Sequence, residues 1–435
     1  MQAATRAPAG GITTSQSPPF TLPIRYMILG VIGFGLFAID LVLQSIGLSQ
    51  NDTLMPSVVA LTHILTLGSL LAFVMGAVYQ LATVAFLIPI KLIRLARLNF
   101  WLYALSVTGL IFSMVYWWII GLVIFGAMAV ISIYVYAVII VWSVAKTKVT
   151  GAMKWFVLCA HVYLMIAVTL ALLLILSMQF AGFLAGAYQP LLLSHIIFAA
   201  GGFFTLLVMG FSFKLLPMFT LSHGYSTARQ KFTLLLANVA LWGLIAGVWL
   251  NLRGLLWIAG TIGVITFINH VIDLKGIMKK RLRKNTEAPM HAVMIAAYIG
   301  GVTLLGLLIQ LGVSFQLPGW QVVVTFYLLG WITFTVMGFS YKIIPFLIWN
   351  ERFSKKVGKE KTPMIADLLH PNRTKPVLIG FLSGLVLLTI FTVVKWVPGT
   401  VIGSVLIGSS LLVFCTQLIM VISPKNNRKE LRVHD

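Results

Sequence analysis

Charged residues are scarce in this chain, and acidic residues are the scarcest of them. Only 9% of the 435 residues are charged, with nine Asp and Glu in total, whereas soluble domains carry about 25% charged residues. Hydrophobic residues make up 60% of the chain. This composition excludes a soluble globule and predicts an all-α polytopic membrane protein.

Cysteine is scarce, and the motifs of soluble hydrolases are missing. The chain has two cysteines, Cys159 and Cys415, each within an apolar stretch where a thiol is usually a small buried group. No disulfide framework is therefore expected. Nucleophile elbows, phosphate-binding glycine loops, paired cysteines and zinc-protease motifs are absent, so hydrolytic chemistry of the soluble type has no support.

Long apolar stretches follow one another along nearly the whole sequence. A membrane crossing needs about 20 apolar residues, because the hydrocarbon core is about 30 Å thick. Twelve stretches qualify, and we predict twelve transmembrane helices in one membrane domain, residues 24–423. The predicted spans are 24–48, 56–90, 99–121, 122–145, 152–178, 187–216, 230–251, 254–272, 288–314, 319–347, 376–396 and 398–423.

Basic residues predict the orientation. All but two of the 31 Lys and Arg fall on one side of the predicted spans, the exceptions being Arg253 and Lys395. The positive-inside rule then places both termini in the cytoplasm of a cell in whose plasma membrane the chain lies. Residues 1–23 are predicted to be a disordered cytoplasmic tail and 424–435 a basic cytoplasmic tail. The net charge of +22 indicates topology and lipid attraction and no nucleic-acid partner.

An internal repeat relates three of the predicted helices. The second, sixth and tenth share a glycine followed at the seventh and eighth positions by Met-Gly, in GSLLAFVMGAVYQL from Gly68, GFFTLLVMGFSFKLLPMF from Gly202 and GWITFTVMGFSYKIIPFL from Gly330. The recurrence every four helices predicts three quasi-equivalent four-helix units at about 24–145, 152–272 and 288–423. The repeated Met-Gly steps predict close helix packing at Gly76, Gly210 and Gly338.

Two lysines recur in this frame at the predicted cytoplasmic ends of the sixth and tenth helices. Lys214 and Lys342 are placed where a long side chain reaches the interface, with Pro217 and Pro345 about where each helix stops. The alternative is a functional lysine that holds an acidic cofactor group or admits protons. Both are kept as candidate polar sites.

Four ionisable residues are predicted to lie at membrane depth, where such groups are functional candidates. Asp40, His63 and His195 share one level, about 10 to 12 Å below the outer surface, and His161 lies deeper. The distances of His63 and His195 from the frame glycine of their own helices differ by two residues. We therefore expect their side chains to face different spaces between helices and not to share one metal ion.

The architecture resembles the catalytic subunit of the heme-copper oxidase superfamily, which includes cytochrome c and quinol oxidases, nitric oxide reductase and related membrane proteins of the NO response. The resemblance rests on the twelve helices, the repeated four-helix unit, and Gly338, Phe339, Tyr341 and Pro345 of the tenth helix. It implies that His63 is a heme ligand and that His195 is a ligand of copper.

The tenth and seventh helices depart from that family. The resemblance requires a His-x-His pair in the tenth helix, and Val322 and Val324 stand at its positions, with Val323 and Thr325 beside them. The adjacent histidine pair of the seventh helix is also missing. Copper binding is therefore doubtful, because one imidazole is too few for a stable site. A complete proton-pumping oxidase is not expected.

Two functional hypotheses remain. The first is a divergent oxidase-like membrane protein that binds a b-type heme through His63 or His195, for electron transfer or small-gas (O2 or NO) handling. The second is a cofactor-free member of the scaffold that acts in oxidase assembly, sensing, or transport of a metal or small solute. Partners would be the lipid bilayer and other respiratory or assembly subunits. The sequence leaves open whether the chain is an enzyme.

Overall fold

The computed structural model describes residues 16–49, 55–180, 182–184, 186–284, 286–313 and 317–423. These residues contain no strand, and they form twelve helices long and apolar enough to cross a membrane. The predicted fold class is therefore confirmed. The helices are α1 (Thr21–Leu43), α2 (Pro56–Phe86), α3 (Ile93–Val115), α4 (Ile119–Ala145), α5 (Ala152–Gln179), α6 (Tyr188–Thr220), α7 (Ala228–Trp249), α8 (Arg253–Lys279), α9 (Ala288–Leu311), α10 (Val322–Lys356), α11 (Pro371–Val393) and α12 (Val397–Ile422).

Several helix ends differ clearly from the predicted ones, and α3 lies six residues earlier than predicted at both ends. α10 continues past Pro345, which was expected near its end, and α8 continues past residue 272 to Lys279. A proline removes only its own backbone donor, so the residues after it resume the helical hydrogen bonds if packing holds them. The tail predicted at 424–435 and most of that predicted at 1–23 lie outside the described residues.

The repeated helices α2, α6 and α10 are the best buried of the twelve, together with α9. In their most apolar windows 72%, 56% and 61% of residues are buried, against 33% in α7 and α8. The lipid-facing sides of the other helices carry exposed apolar residues such as Leu36 and Trp101. α12 packs on α1, α4 on α5, and α8 on α9, so successive four-helix units are joined side by side around the three buried helices.

Each Met-Gly step packs its helix against the first helix of its own unit. A Cβ atom added at these glycines would lie 2.5 to 2.7 Å from an atom of α1, α5 or α9, which is far inside normal contact. The prediction that the repeated glycines allow close packing is confirmed. The nearest atoms are the carbonyl oxygen of Pro23 for Gly76, Cβ of Phe156 for Gly210, and the carbonyl oxygen of Pro289 for Gly338.

A second contact also recurs, between the second and fourth helix of each unit. The residue eleven positions after the frame glycine places its ring edge-to-face against a ring of α4, α8 or α12, with centroids 5.1 to 5.4 Å apart. Such pairs are a favourable aromatic geometry. The pairs are Tyr79 with Tyr136, Phe213 with His270, and Tyr341 with Phe414.

The three buried helices share one backbone irregularity. Each contains a π-helical segment around its frame glycine: Ile64–Leu71, Ile197–Thr205 and Tyr327–Thr333. A hydroxyl in each segment donates to the carbonyl five residues earlier, at 2.8 Å, from Ser69, Thr205 and Thr333. π-Helical turns are rare and concentrate at functional sites. The residues beside these segments are therefore candidates for a functional site.

Candidate cofactor site

His63 and His195 lie at the beginning of two of these irregular segments. His63 directly precedes the π-helical segment of α2, and His195 precedes that of α6 by two residues. Both side chains are half-buried. Each is therefore at a place where the helix departs from regular α geometry and where its neighbours remain accessible.

Hydrogen bonds define which ring nitrogen of each histidine is free. Nδ1 of His63 lies 2.8 Å from the carbonyl oxygen of Val59, and Nδ1 of His195 lies 2.9 Å from that of Ala167 on α5. A carbonyl oxygen only accepts, so each Nδ1 carries the proton. The lone pair of Nε2 is then available in both residues, which is the usual arrangement of a metal-ligating histidine.

The two rings lie close together in the space between α2 and α6. Their centroids are 6.5 Å apart and their planes are parallel within 6°. The expectation that they face different spaces is wrong. Side chains at equivalent repeat positions of α2 and α6 point in equivalent directions, and therefore not at each other. An offset of two residues rotates one side chain relative to the other, so the rings of His63 and His195 can meet. The π-helical segments further change the rotation per residue.

The separation of the rings fits one metal ion held between them. Two metal–nitrogen bonds of about 2.0 Å in line, with about 1.1 Å from each nitrogen to its ring centre, would place the centroids about 6.2 Å apart. Among the described residues, no group of three or more His, Cys, Asp or Glu is placed to hold a metal ion. Two imidazoles suit an ion whose remaining ligands come from a macrocycle, as in heme.

In α2 and α6, the segments before the frame glycine are partly exposed, whereas the segments after it are buried. Residues from Gly68 to Phe86 and from Gly202 to Phe213 are all buried. Next to the histidines, by contrast, Thr66, Leu192 and Ala199 are partly exposed. The helix surface beside the two histidines is therefore less tightly packed than the rest of these helices.

Neighbouring helices fix the position of His195. The side chain of Trp249, at the end of α7, donates from Nε1 to Oγ of Ser194 at 3.0 Å. Trp242 of α7 donates to the hydroxyl of Tyr163 on α5 at 3.1 Å, and the Tyr163 ring stacks on Phe198 of α6. α6 is therefore held from both sides at the level of its histidine.

The other two residues predicted at membrane depth are not part of this pair. Asp40 is half-buried, and its Oδ1 accepts from the side chain of Gln44 at 3.4 Å. His161 is fully buried; Nδ1 lies 2.7 Å from the carbonyl oxygen of Val157, and Nε2 lies 3.1 Å from Oη of Tyr136. Because both nitrogens of His161 are engaged, it is not available as a ligand.

The two repeated lysines have different surroundings. Lys214 is exposed at the end of its helix, as expected for a chain that reaches the interface. The ammonium of Lys342 pairs with Glu287, which also lies 3.2 Å from Arg283. The side chains of Lys342 and Glu287 are only 13% and 20% exposed, so this pair connects α10 to the start of α9.

α10 offers no counterpart to the histidines of α2 and α6 among its described residues. Val322 and Thr325, which stand where the oxidase family has heme ligands or beside them, line a cavity of about 10 Å³. That volume is about enough for one water molecule. Further along, Thr205 of α6 accepts from Nε1 of Trp331 at 3.1 Å and lies 2.6 Å from the hydroxyl of Tyr327. These bonds close the space between α6 and α10.

Sequence reasoning missed two buried polar residues on α8. His270 is fully buried and neither of its ring nitrogens has a hydrogen-bond partner, and Asp273, one turn later, has an unpaired Oδ2. The repeat indicates His270, because this residue occupies in the second unit the position that Tyr136 occupies in the first. The interval from Tyr136 to His270 equals the interval from Gly68 to Gly202. His270 packs between the rings of Phe213 and Trp331.

Comparison with known proteins adds no relative. No family model matches the chain, and no curated protein matches it in sequence.

Proposed function

We propose that this multi-pass membrane protein binds one b-type heme between α2 and α6 and acts in electron transfer. Nε2 of His63 and Nε2 of His195 would be the two axial ligands. The observation that carries the proposal is the pair of parallel rings 6.5 Å apart, each with its Nδ1 proton held by a backbone carbonyl. Bound there, heme would supply reversible one-electron chemistry.

The protein's own residues would orient and shield the group. The hydrogen bond from His195 to α5 and that from His63 within α2 hold both rings in position and raise the basicity of Nε2. The apolar surroundings of the two histidines would exclude water and so influence the potential. Held by both histidines, the group would serve electron transfer rather than the binding of O2 or NO.

The membrane setting completes the proposal. The protein would lie in the plasma membrane with both termini in the cytoplasm, an orientation supported by the basic loops, and the histidine pair would then lie in the outer half of the bilayer. An electron-transfer protein at this depth would work with other respiratory or assembly subunits of the same membrane. Resemblance to the heme-copper oxidase fold supports this proposal through the repeated four-helix unit only, since its copper ligands and its tenth-helix ligands are missing.

An absorbance spectrum of the detergent-purified protein tests the proposal. We expect Soret and α bands on reduction with dithionite, one heme per chain, and loss of these bands in His63→Ala and in His195→Ala. His291→Ala, which removes an exposed histidine at the start of α9, is the matched control and should keep the full spectrum. A colourless preparation from heme-replete cells would refute heme binding and favour the cofactor-free alternative in assembly, sensing or transport.

Carbon monoxide separates electron transfer from gas handling. With both axial positions held by histidines, CO should leave the reduced spectrum of the wild type unchanged. A large CO-induced shift of the Soret band in the wild type would show an open position and would contradict the two-histidine arrangement, even if heme is present.

A further inference from the structure

A cluster of buried tyrosines lies between the histidine pair and the end of the bundle that carries the basic loops. The cluster consists of Tyr26, Tyr79, Tyr103 and Tyr136, one from each of α1 to α4, and all four are fully buried. Their rings contact one another with centroids 5.4 to 5.8 Å apart. Four buried hydroxyls in one place are unusual in a membrane interior, where polar groups mark functional paths.

The cluster ends close to both histidine-bearing helices. The hydroxyl of Tyr103 donates to the carbonyl oxygen of Leu67 at 2.7 Å, one helical turn from His63. At the other edge, Tyr136 donates to Nε2 of His161 at 3.1 Å. His161 lies six residues before Ala167, whose carbonyl holds His195, and this is about 9 Å along α5.

Some polar atoms of the cluster have no protein partner. Oη of Tyr79 and Oγ of Ser132 are buried and make no hydrogen bond to the protein. Buried polar groups of this kind are normally satisfied by ordered water. Next to Tyr79, the buried side chain of Gln80 donates to Ser17, which is half-buried at the basic end of the bundle. The cluster therefore has polar atoms suited to binding ordered water and a side from which protons can enter.

We propose that His161 takes up a proton when the neighbouring histidine-ligated site is reduced, an inference that rests on the proposed heme. One electron enters the site and one proton binds Nε2 of His161, so the charge of the membrane interior is conserved. The hydroxyl of Tyr136 then changes from donor to acceptor. Its hydrogen turns toward the other hydroxyls of the cluster, through which the proton arrives.

The surroundings of His161 contain no other group suited to this role. α4 presents Tyr136 and α6 presents Phe203, while Tyr26, Tyr79 and Tyr103 belong to the cluster. Cys159 and Tyr163 lie on α5 itself, and Lys154, the charged group of α5, is two turns away with its ammonium bonded to the carbonyl of Ala145. The proposed redox centre lies beyond Ala167 and the His195 ring, at roughly 10 to 15 Å from His161, and at that distance an added electron changes the proton affinity of an interior imidazole by on the order of tenfold.

Redox potentiometry at several pH values tests this inference. In the wild type, we expect the midpoint potential of the heme to fall with rising pH, by up to 59 mV for each tenfold decrease in proton concentration. His161→Gln should make the potential independent of pH while leaving the absorbance spectrum unchanged. His270→Tyr is the matched control and should keep the wild-type slope. It alters the second fully buried histidine of the described residues and replaces it by the amino acid that the first unit has at the equivalent position, Tyr136.

The outcomes separate this inference from the proposed function. Absence of heme bands overturns both. Normal heme bands with a pH-independent potential in the wild type, or an unchanged slope in His161→Gln, overturn the role of His161 alone, as does loss of the slope in His270→Tyr. If the variants do not fold, the number of protons that the wild type takes up on electrochemical reduction is measured instead. Proton uptake, with a limit of one per heme, supports the proposal, and no uptake overturns it.

Discussion

Replacing Gly33 by alanine should destabilise the protein through the contact between α1 and α2. A Cβ atom at Gly33 would lie 2.2 Å from the carbonyl oxygen of Gly68 and 2.5 Å from its carbonyl carbon. Both are backbone atoms and cannot rotate away. The two helices would have to separate by roughly 1 Å to restore normal contact, at the cost of the packing on both sides.

The expected magnitude follows from two opposing effects. Overpacking a well-packed interior typically costs about 1 to 3 kcal/mol, and alanine returns about 1 kcal/mol of helix propensity relative to glycine. A backbone-to-backbone clash belongs at the upper end of the overpacking range. We therefore expect Gly33→Ala to lose about 2 kcal/mol.

Gly35→Ala is the matched control, two residues further along α1. A Cβ atom at Gly35 would meet no atom within 4 Å, so this variant should gain the helix propensity and lose nothing. Thermal unfolding in detergent, followed by the monodisperse fraction on size exclusion, compares the two. Gly33→Ala should unfold several degrees below Gly35→Ala.

The same pair of variants reports on the cofactor site. Gly68 lies within the π-helical segment that begins directly after His63, so displacing its backbone should also displace that ring. We expect Gly33→Ala to bind less heme than Gly35→Ala. Equal unfolding temperatures and equal heme content in the two variants would refute the inferred contact between α1 and α2.

Two further substitutions test polar residues outside the histidine pair. Glu287→Ala should destabilise the protein by about 2 kcal/mol, because it leaves Lys342 mostly buried without its partner; the cost is below the range for fully buried pairs since both side chains keep some exposure. Thermal unfolding measures it, and Lys342→Met should recover part of the loss. Asp40→Asn should leave both the heme spectrum and the unfolding temperature unchanged, because the carboxylate bonds only weakly to Gln44; a lost α band would give Asp40 a role in the site.

The helices and the repeat could be predicted from the sequence because both depend on composition and spacing. A run of about 20 apolar residues is sufficient to identify a span, and the glycines Gly76, Gly210 and Gly338 occur in identical frames. Their contacts in the structure follow directly from the absence of a side chain. The membrane spans among the described residues therefore needed no information about tertiary contacts.

The site was predicted only in part. His63 and His195 were identified as candidates from their depth, but the prediction of their mutual orientation was wrong. It assumed regular helix rotation across segments that are π-helical. Side-chain hydroxyls of Ser69 and Thr205 accompany those segments, yet such hydroxyls are common in membrane helices and do not identify π turns by themselves. Rotation between two helices depends on tertiary packing, which one sequence does not contain.

Under the proposed function, a few side chains would decide where a cofactor lies among the three buried helices. The space between α6 and α10 is closed by Thr205, Tyr327 and Trp331, and α10 carries Val322 at its described outer end, where α2 and α6 carry histidines. Between α2 and α6, the rings of His63 and His195 lie 6.5 Å apart. Because α2, α6 and α10 share the frame glycine and a π-helical segment, exchange of ligands and of space-filling side chains would be enough to assign the proposed cofactor to one of these spaces, with no change of fold.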